Sequence, residues 1–265
     1  MPALPSLAPH ALLALASKLP RADTLDVKLG IMQPYFFPYI GYFELINRTD
    51  RWIVFDTPQY VRKSWMNRNR VLHPTSGWIY LTAPVIKQPQ ETPICDIRVQ
   101  PGREWRETIL RQLEHYRRQA PFFTQTLEVV RHSLDSDDES LSKISVRGLE
   151  AFCSYIEIPF KYEFHSELDL ALGAIQGPGD WSLRISEALG AKEYINAPGG
   201  VSFFDREKFE SAGIKLTFQE LADLPYSTGS YTFEPYLSII DVCMWNSPAE
   251  IRAFLDGHAA REQAA

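Results

Sequence analysis

Cysteines are few in this chain and lie far apart. Cys95, Cys153 and Cys243 form no CxxC and join no Cys/His cluster, so neither a disulfide framework nor a structural zinc site is encoded. Reduced, buried thiols are expected instead. No apolar run approaches the roughly 20 residues that span a bilayer. The opening MPALPSLAPHALLALASKLPRAD is rich in alanine and leucine but has no basic leader region, which makes it a poor signal peptide. A short helix or a loose tail is expected over residues 1–27, and with it a cytoplasmic protein without membrane insertion. Excess positive charge is missing too. A net charge of −6 argues against a general binder of duplex nucleic acid, which needs a net basic face. GxSxG, HExxH, P-loop and GxGxxG signatures are all absent. His73, His115, His132 and His165 stand at no metal-ligand spacing, so no metal site is expected, and no cofactor can be named.

What is present is a regular alternation of short β-rich runs and helical periods. Strands are expected at 29–32, 51–56, 94–99, 160–164, 193–196 and 214–218. The β-rich stretches 60–71 and 77–85 flank the turn chemistry of His73-Pro74-Thr75-Ser76-Gly77 and predict a hairpin. Trp105, Ile109, Leu113 and Tyr116 open a helical stretch that continues over 122–134 and 141–156. Further helices are expected at 181–189, 202–212 (closed by Gly213), 237–245 and 248–255. Strands separated by helices predict an α/β fold with a mixed or mostly parallel sheet flanked by helices. The helical subregion at about 102–157 reads as an insertion or lid within one domain over 28–257, and 258–265 reads as a tail.

Three segments carry residue types suited to chemistry. Gln33 ends the first strand and leads through Pro34, Tyr35, Phe36, Phe37 and Pro38 to a helix start, at the carboxyl edge where ligands sit in open α/β folds. The loop reads equally well as proline-stiffened packing. Asp56, Gln59 and Tyr60 precede Trp65-Met66-Asn67-Arg68-Asn69-Arg70. In an extended chain Asn67 and Asn69 share one face, and Arg68 and Arg70 the other. Paired guanidinium forks suit phosphate or carboxylate, while the amides suit sugar hydroxyls or a nucleobase. The third segment runs through Ser238 to Asp241, a carboxylate among apolar neighbours that needs a partner. Arg68 or Arg70 is the natural one, which would make Asp241 either a structural salt bridge or a base. His165-Ser166-Glu167 holds types suited to acid–base work, or simply ends a strand.

Five ordered motifs resemble the WbqC-like family: 33–42 (QPYFFPYIGY), Asp56 with Gln59-Tyr60, 65–70 (WMNRNR), 81–84 (LTAP) and 237–241 (LSIID). After Asp241 the chain departs from the family's usual apolar pair and Asn-Gly. The resemblance implies a setting among surface-polysaccharide and sugar-modification genes and a glycine or aminoacyl transferase activity. On that basis the expected function is acylation of an amino sugar, free or nucleotide-linked, by a small aminoacyl group. Arg68 and Arg70 would hold an anionic group. Gln33, Asn67 and Asn69 would orient the acceptor and an oxyanion, with Tyr42, Gln59, Tyr60 and Ser238 completing the substrate contacts. Asp56 or Asp241 would take a proton. Two rival readings are a nucleotide-dependent carboxylate-activating enzyme and a non-catalytic partner in a glycan-assembly complex. The strand–Pro-x-x-Gly-Tyr–helix order is also similar to the strand–HxGH–helix of nucleotidylyltransferases, by fold analogy alone. A small anionic or sugar substrate is the expected partner, and a homodimer is compatible with each reading.

Overall fold

Strand β1 (Lys28–Met32) has almost no polar side chain to give to water, so both of its faces need cover. In the computed structural model, which describes residues 27–220 and 224–263, it forms the middle of a five-stranded sheet. On one side lie β2 (Arg51–Val54) and then β5 (Tyr162–Phe164); on the other lie β6 (Glu193–Asn196) and β7 (Lys215–Phe218). Every neighbouring pair is parallel. The chain builds outward from β1 through β2 to β5, then returns to place β6 against the other side of β1. That reversal makes a topological switch point at the carboxyl ends of β1 and β6. Strands β3 (Arg68–Leu72) and β4 (Trp78–Thr82) form the expected hairpin as a separate antiparallel pair.

Alternation along the strands sorts the core into two layers. Leu29, Ile31 and Ile53 face a cluster with Leu183 and Ile185 of α5 (Pro178–Ala188) and Phe209 of α6 (Arg206–Ser211). Trp52 and Val54 face the larger cluster on the opposite side. That cluster takes in α1 (Ile40–Asn47), α3 (Phe123–Leu134), α4 (Leu141–Tyr155) and α7 (Ile239–Trp245), with α2 (Glu104–Gln112) and α8 (Pro248–Gln263). The helical subregion shares this core: Phe152 of α4 packs edge-on against Phe37 and Phe43.

Several expectations are corrected at their edges. Residues 94–99 form a 3-10 turn over Ile94–Asp96 and an isolated bridge from Val99 to Val85, not a strand. Pro93 and the Asp56 carbonyl, which accepts from Cys95, shape that turn. The helix expected at 202–212 is a 3-10 segment (Pro198–Phe203) followed by the shorter α6, which Asp205 caps by accepting from the amides of Glu207 and Lys208. Helix α8 runs on to Gln263, into the stretch read as a tail. The helix or tail expected before residue 27 lies outside the described residues.

Gly30 sits where the Trp52 ring crosses β1, and a methyl group there would stand 2.6 Å from the ring edge. Trp52 is fully buried and has nowhere to move. Gly30→Ala should therefore destabilise the protein by about 1–3 kcal/mol through overpacking. A thermal melt should fall by several degrees; an unchanged midpoint would mean that this core is looser than its packing implies.

Candidate functional site

The loop from Gln33 to Tyr39 is anchored at both ends. Tyr42, buried in the next helix, donates its hydroxyl to the Gln33 carbonyl. The Phe36 amide donates to the Trp65 carbonyl at 2.9 Å, tying the loop to the segment that enters β3. Phe36 and Phe37 are buried, and Phe37 has φ 43°, a left-handed conformation unusual for a phenylalanine. From the other side, the start of α7 stitches loop and hairpin together. Ser238 donates its hydroxyl to the Phe37 carbonyl (2.7 Å) and its amide to the Arg70 carbonyl (2.8 Å). The Ile239 amide donates to Pro38 at 2.8 Å.

These ties bring Tyr35, Pro38 and Tyr39 of the loop against Trp65, Asn69 and Arg70, with Tyr236 closing the far wall. They enclose a cavity of about 220 Å³. Burial raises the Tyr35 phenol, and burial together with the Glu44 charge pushes Tyr39 up to about 12, so both rings stay neutral donors at physiological pH. Arg70 is the charged group. Its Cζ lies 5.3 Å from the Trp65 ring and 5.1 Å from the Trp78 ring, within cation–π range. Its side chain makes a long 3.4 Å donation to the Tyr236 carbonyl, and its buried Nε has no partner. Asn69 is fixed: its amide donates to Phe36 and its oxygen accepts from the Arg70 backbone. The result is a cationic fork among aromatic rings, a site for an anionic ligand with an apolar face.

The alternation expected of Asn67–Arg70 is present, with both asparagines buried and both arginines half-buried. Asn67 donates to the Ala83 carbonyl and leaves its oxygen unpartnered. Arg68 lies 4.0 Å above the Tyr80 ring and donates to the Lys63 carbonyl. Gln59 and Tyr60 are elsewhere: they line a separate groove of about 750 Å³ with Arg62 and Lys87. Tyr42 packs between Tyr35 and Trp52 inside the core. Gln33 stays half-buried, with its side-chain oxygen 3.4 Å from the Tyr35 hydroxyl.

The expected pairing of Asp241 with an arginine is corrected. Its fully buried carboxylate accepts instead from the hydroxyls of Tyr116 and Tyr226 (2.7 Å for the latter), with the Leu72 amide at 3.4 Å. Phenols 125 and 15 residues away in sequence meet the need that a cation would have met. Ser238 is fully buried as the cap of α7, accepting from the Ile240 amide. Both residues therefore support the cavity from behind and do not line it.

Asp56 occupies the carboxyl end of β2, buried, with its two oxygens held by the Ser166 amide (3.0 Å) and hydroxyl (2.8 Å). Burial raises its pKa against those bonds. Beside it, Thr57 Oγ1 and His165 Nδ1 are 2.8 Å apart, and Phe55 and Trp181 wall the imidazole. Burial lowers His165, which keeps it neutral near pH 7. Sequence reading could not bring these neighbours together, because Phe55 and Thr57 come from the end of another strand. It also passed over Trp65 and Tyr236 as cavity walls, although the run Phe233-Glu234-Pro235-Tyr236 was in view. Among the described residues, no group of three His, Cys, Asp or Glu side chains could hold a metal ion.

The model of the WbqC-like protein family matches residues 33–253. The chain belongs to the WbqC-like family. That match begins at Gln33 and takes in every wall of the cavity. A Mycobacterium tuberculosis protein described only as uncharacterised is 28% identical over 233 residues, covering 86% of this chain and 97% of that relative. No solved structure matches the chain. Among the described residues, no helix is long and apolar enough to cross a membrane.

Asp241 gives a test of how the cavity is supported. Its carboxyl is raised by burial from the ordinary 3.8 to about 6. Between those values the folded state binds more protons than the unfolded one, so stability falls as pH rises from about 4 to about 6. The loss is on the order of 3 kcal/mol. Asp241→Asn should remove this slope. In urea melts, the wild-type midpoint relative to the variant should be highest near pH 4 and shrink by pH 7; parallel profiles would refute the assignment.

Proposed function

We propose that this WbqC-like protein is a transferase that acylates an amino sugar, free or nucleotide-linked, with glycine or another small aminoacyl group. The observation that carries the reading is Arg70, a guanidinium that lines a cavity walled by Tyr35, Tyr39, Trp65 and Tyr236 and whose Nε has no partner. Its fork suits a phosphate or carboxylate, and the rings suit the apolar face of a pyranose. A volume of about 220 Å³ is below the usual range for whole drug-sized ligands and fits a single ring. In the reaction the amine nitrogen forms a bond to the acyl carbonyl carbon, and the bond from that carbon to its leaving group breaks. The amine proton passes to the departing group. The site's contribution is chiefly orientation, which can supply much of the barrier reduction for a reactive acyl donor.

A second reading, activation of a carboxylate by a nucleoside triphosphate, is favoured by one feature. The all-parallel order β5-β2-β1-β6-β7 leaves a switch-point crevice beside Gln33, a usual place for a nucleotide in open α/β sheets. The readings separate cleanly. Amino sugars and amino sugar phosphates should raise the melting temperature, and product mass should rise by one acyl residue when an aminoacyl donor is added. Arg70→Ala should weaken sugar phosphate binding about 10- to 100-fold, as expected for loss of bonds to a charged group. Arg70→Lys should recover only part of this, because the fork is gone. Undiminished binding in Arg70→Ala removes the cavity from the proposal. Pyrophosphate release with nucleoside triphosphate and a carboxylate would move the assignment to the second reading.

A further inference from the structure

Positive charge is concentrated where the rest of the chain is acidic. Between Asp56 and Glu91 there is no acidic residue, while Arg62, Lys63, Arg68, Arg70 and Lys87 all fall in that stretch. Among the described residues, none of these five forms an ion pair. Side-chain contacts join them into one strip. Lys87 and Arg62 line the groove beside Tyr60, and Arg62 donates to the Gln88 carbonyl at 2.9 Å. Arg68 reaches the Lys63 carbonyl at 2.7 Å and covers Tyr80. Tyr80 in turn contacts Trp65 and Trp78, the two rings that flank Arg70.

The rings in this strip are not hidden. Trp65 is 41% exposed and Trp78 39%, beside exposed Val61 and Ile86. Solubility accounts for the cations but not for open tryptophans among them. A neutral glycan would use the rings and leave five charges idle. A duplex would use the charges and keep its bases away from the rings. A single strand uses both, laying phosphates along the cations and bases against the aromatic faces. Five residues of extended hairpin span about 17 Å, the length of about five stacked nucleotides.

We propose that the outer face of the β3–β4 hairpin docks single-stranded RNA, with one end of the strand at the Arg70 cavity. Docking is independent of the acyl-transfer reading. The further role rests on that reading: an RNA carrying an aminoacyl ester on its terminal ribose would be the acyl donor. The sugar amine then bonds to the ester carbonyl, the carbon–oxygen bond to the ribose breaks, and the ribose oxygen takes the amine proton.

The experiment is fluorescence anisotropy with an unstructured, labelled 12-nucleotide RNA, unacylated, across 50–300 mM salt. Contact with about four phosphates should give a log–log salt slope near −3, from about −0.7 per phosphate. The variant Arg62→Ala/Lys63→Ala/Lys87→Ala changes only exposed side chains outside the cavity. It should bind RNA at least 10-fold more weakly with a slope flattened by about 2, while keeping its melting temperature and its thermal shift with amino sugar phosphates. Trp78→Ala should weaken RNA at all salts without changing the slope. No RNA binding at 50 mM salt, undiminished binding in the triple variant, or tighter binding of an acidic polysaccharide fragment overturns the proposal. A loss of sugar binding with RNA binding intact would instead count against the acyl-transfer reading alone.

Discussion

The carboxylate of Asp241 draws three distant pieces of chain to one buried point. Tyr116 comes from the turn after α2, Tyr226 from the segment leading to Tyr236, and Leu72 from the end of β3. The Leu72 amide donates to the Tyr116 hydroxyl at 2.8 Å, and that hydroxyl donates on to Asp241. A charge in this position is costly unless its lone pairs are met. Meeting them fixes where β3 ends and therefore where Arg70, two residues earlier, can stand. The helix that carries Asp241 also carries Ser238, whose bonds to Phe37 and Arg70 set the distance between loop and hairpin.

Because phenols satisfy Asp241, Arg70 remains without a carboxylate. Had the carboxylate reached the guanidinium, the cavity would hold an internal salt bridge and offer little to an anion. The cavity thus separates two tasks that the sequence places in adjacent motifs. Ser238 and Asp241 hold the walls from behind, while Arg70, Asn69 and the rings face the open space. The same division holds at the sheet edge, where Asp56 is occupied in holding Ser166 and so steadies the turn that presents His165.

Elements governed by local pattern were legible in the sequence. Glu193–Asn196 is a strand with the bounds that its composition predicts, and the Pro-Thr-Ser-Gly turn yields its hairpin. The parallel sheet and the family membership were also legible, the first from alternation of strands and helices, the second from ordered motifs. Long-range polar pairing was not. Nothing local in Tyr116 or Tyr226 marks them as partners of Asp241, and a search for a cation was the natural error. Residues 94–99 misled for a related reason: their apolar spacing fits a strand, but tertiary bonds to Asp56 and Pro58 bend them into a turn. Arg70 was legible as charge, and its aromatic surroundings were not.

Two residues beside the cavity, Phe37 and Tyr236, hold positive φ values of 43° and 56°. For side chains of this size such backbone costs on the order of 1–3 kcal/mol, and glycine would relieve it. At Phe37 the buried ring outweighs that relief, since emptying such a core site costs about 3–5 kcal/mol; at the exposed Tyr236 little packing opposes it, and selection for stability alone would drift toward glycine. At 236 that drift would erase an aromatic wall. Tyr236 thus sets thermostability against recognition, and a descendant stabilised there would be a poorer host for whatever the cavity holds.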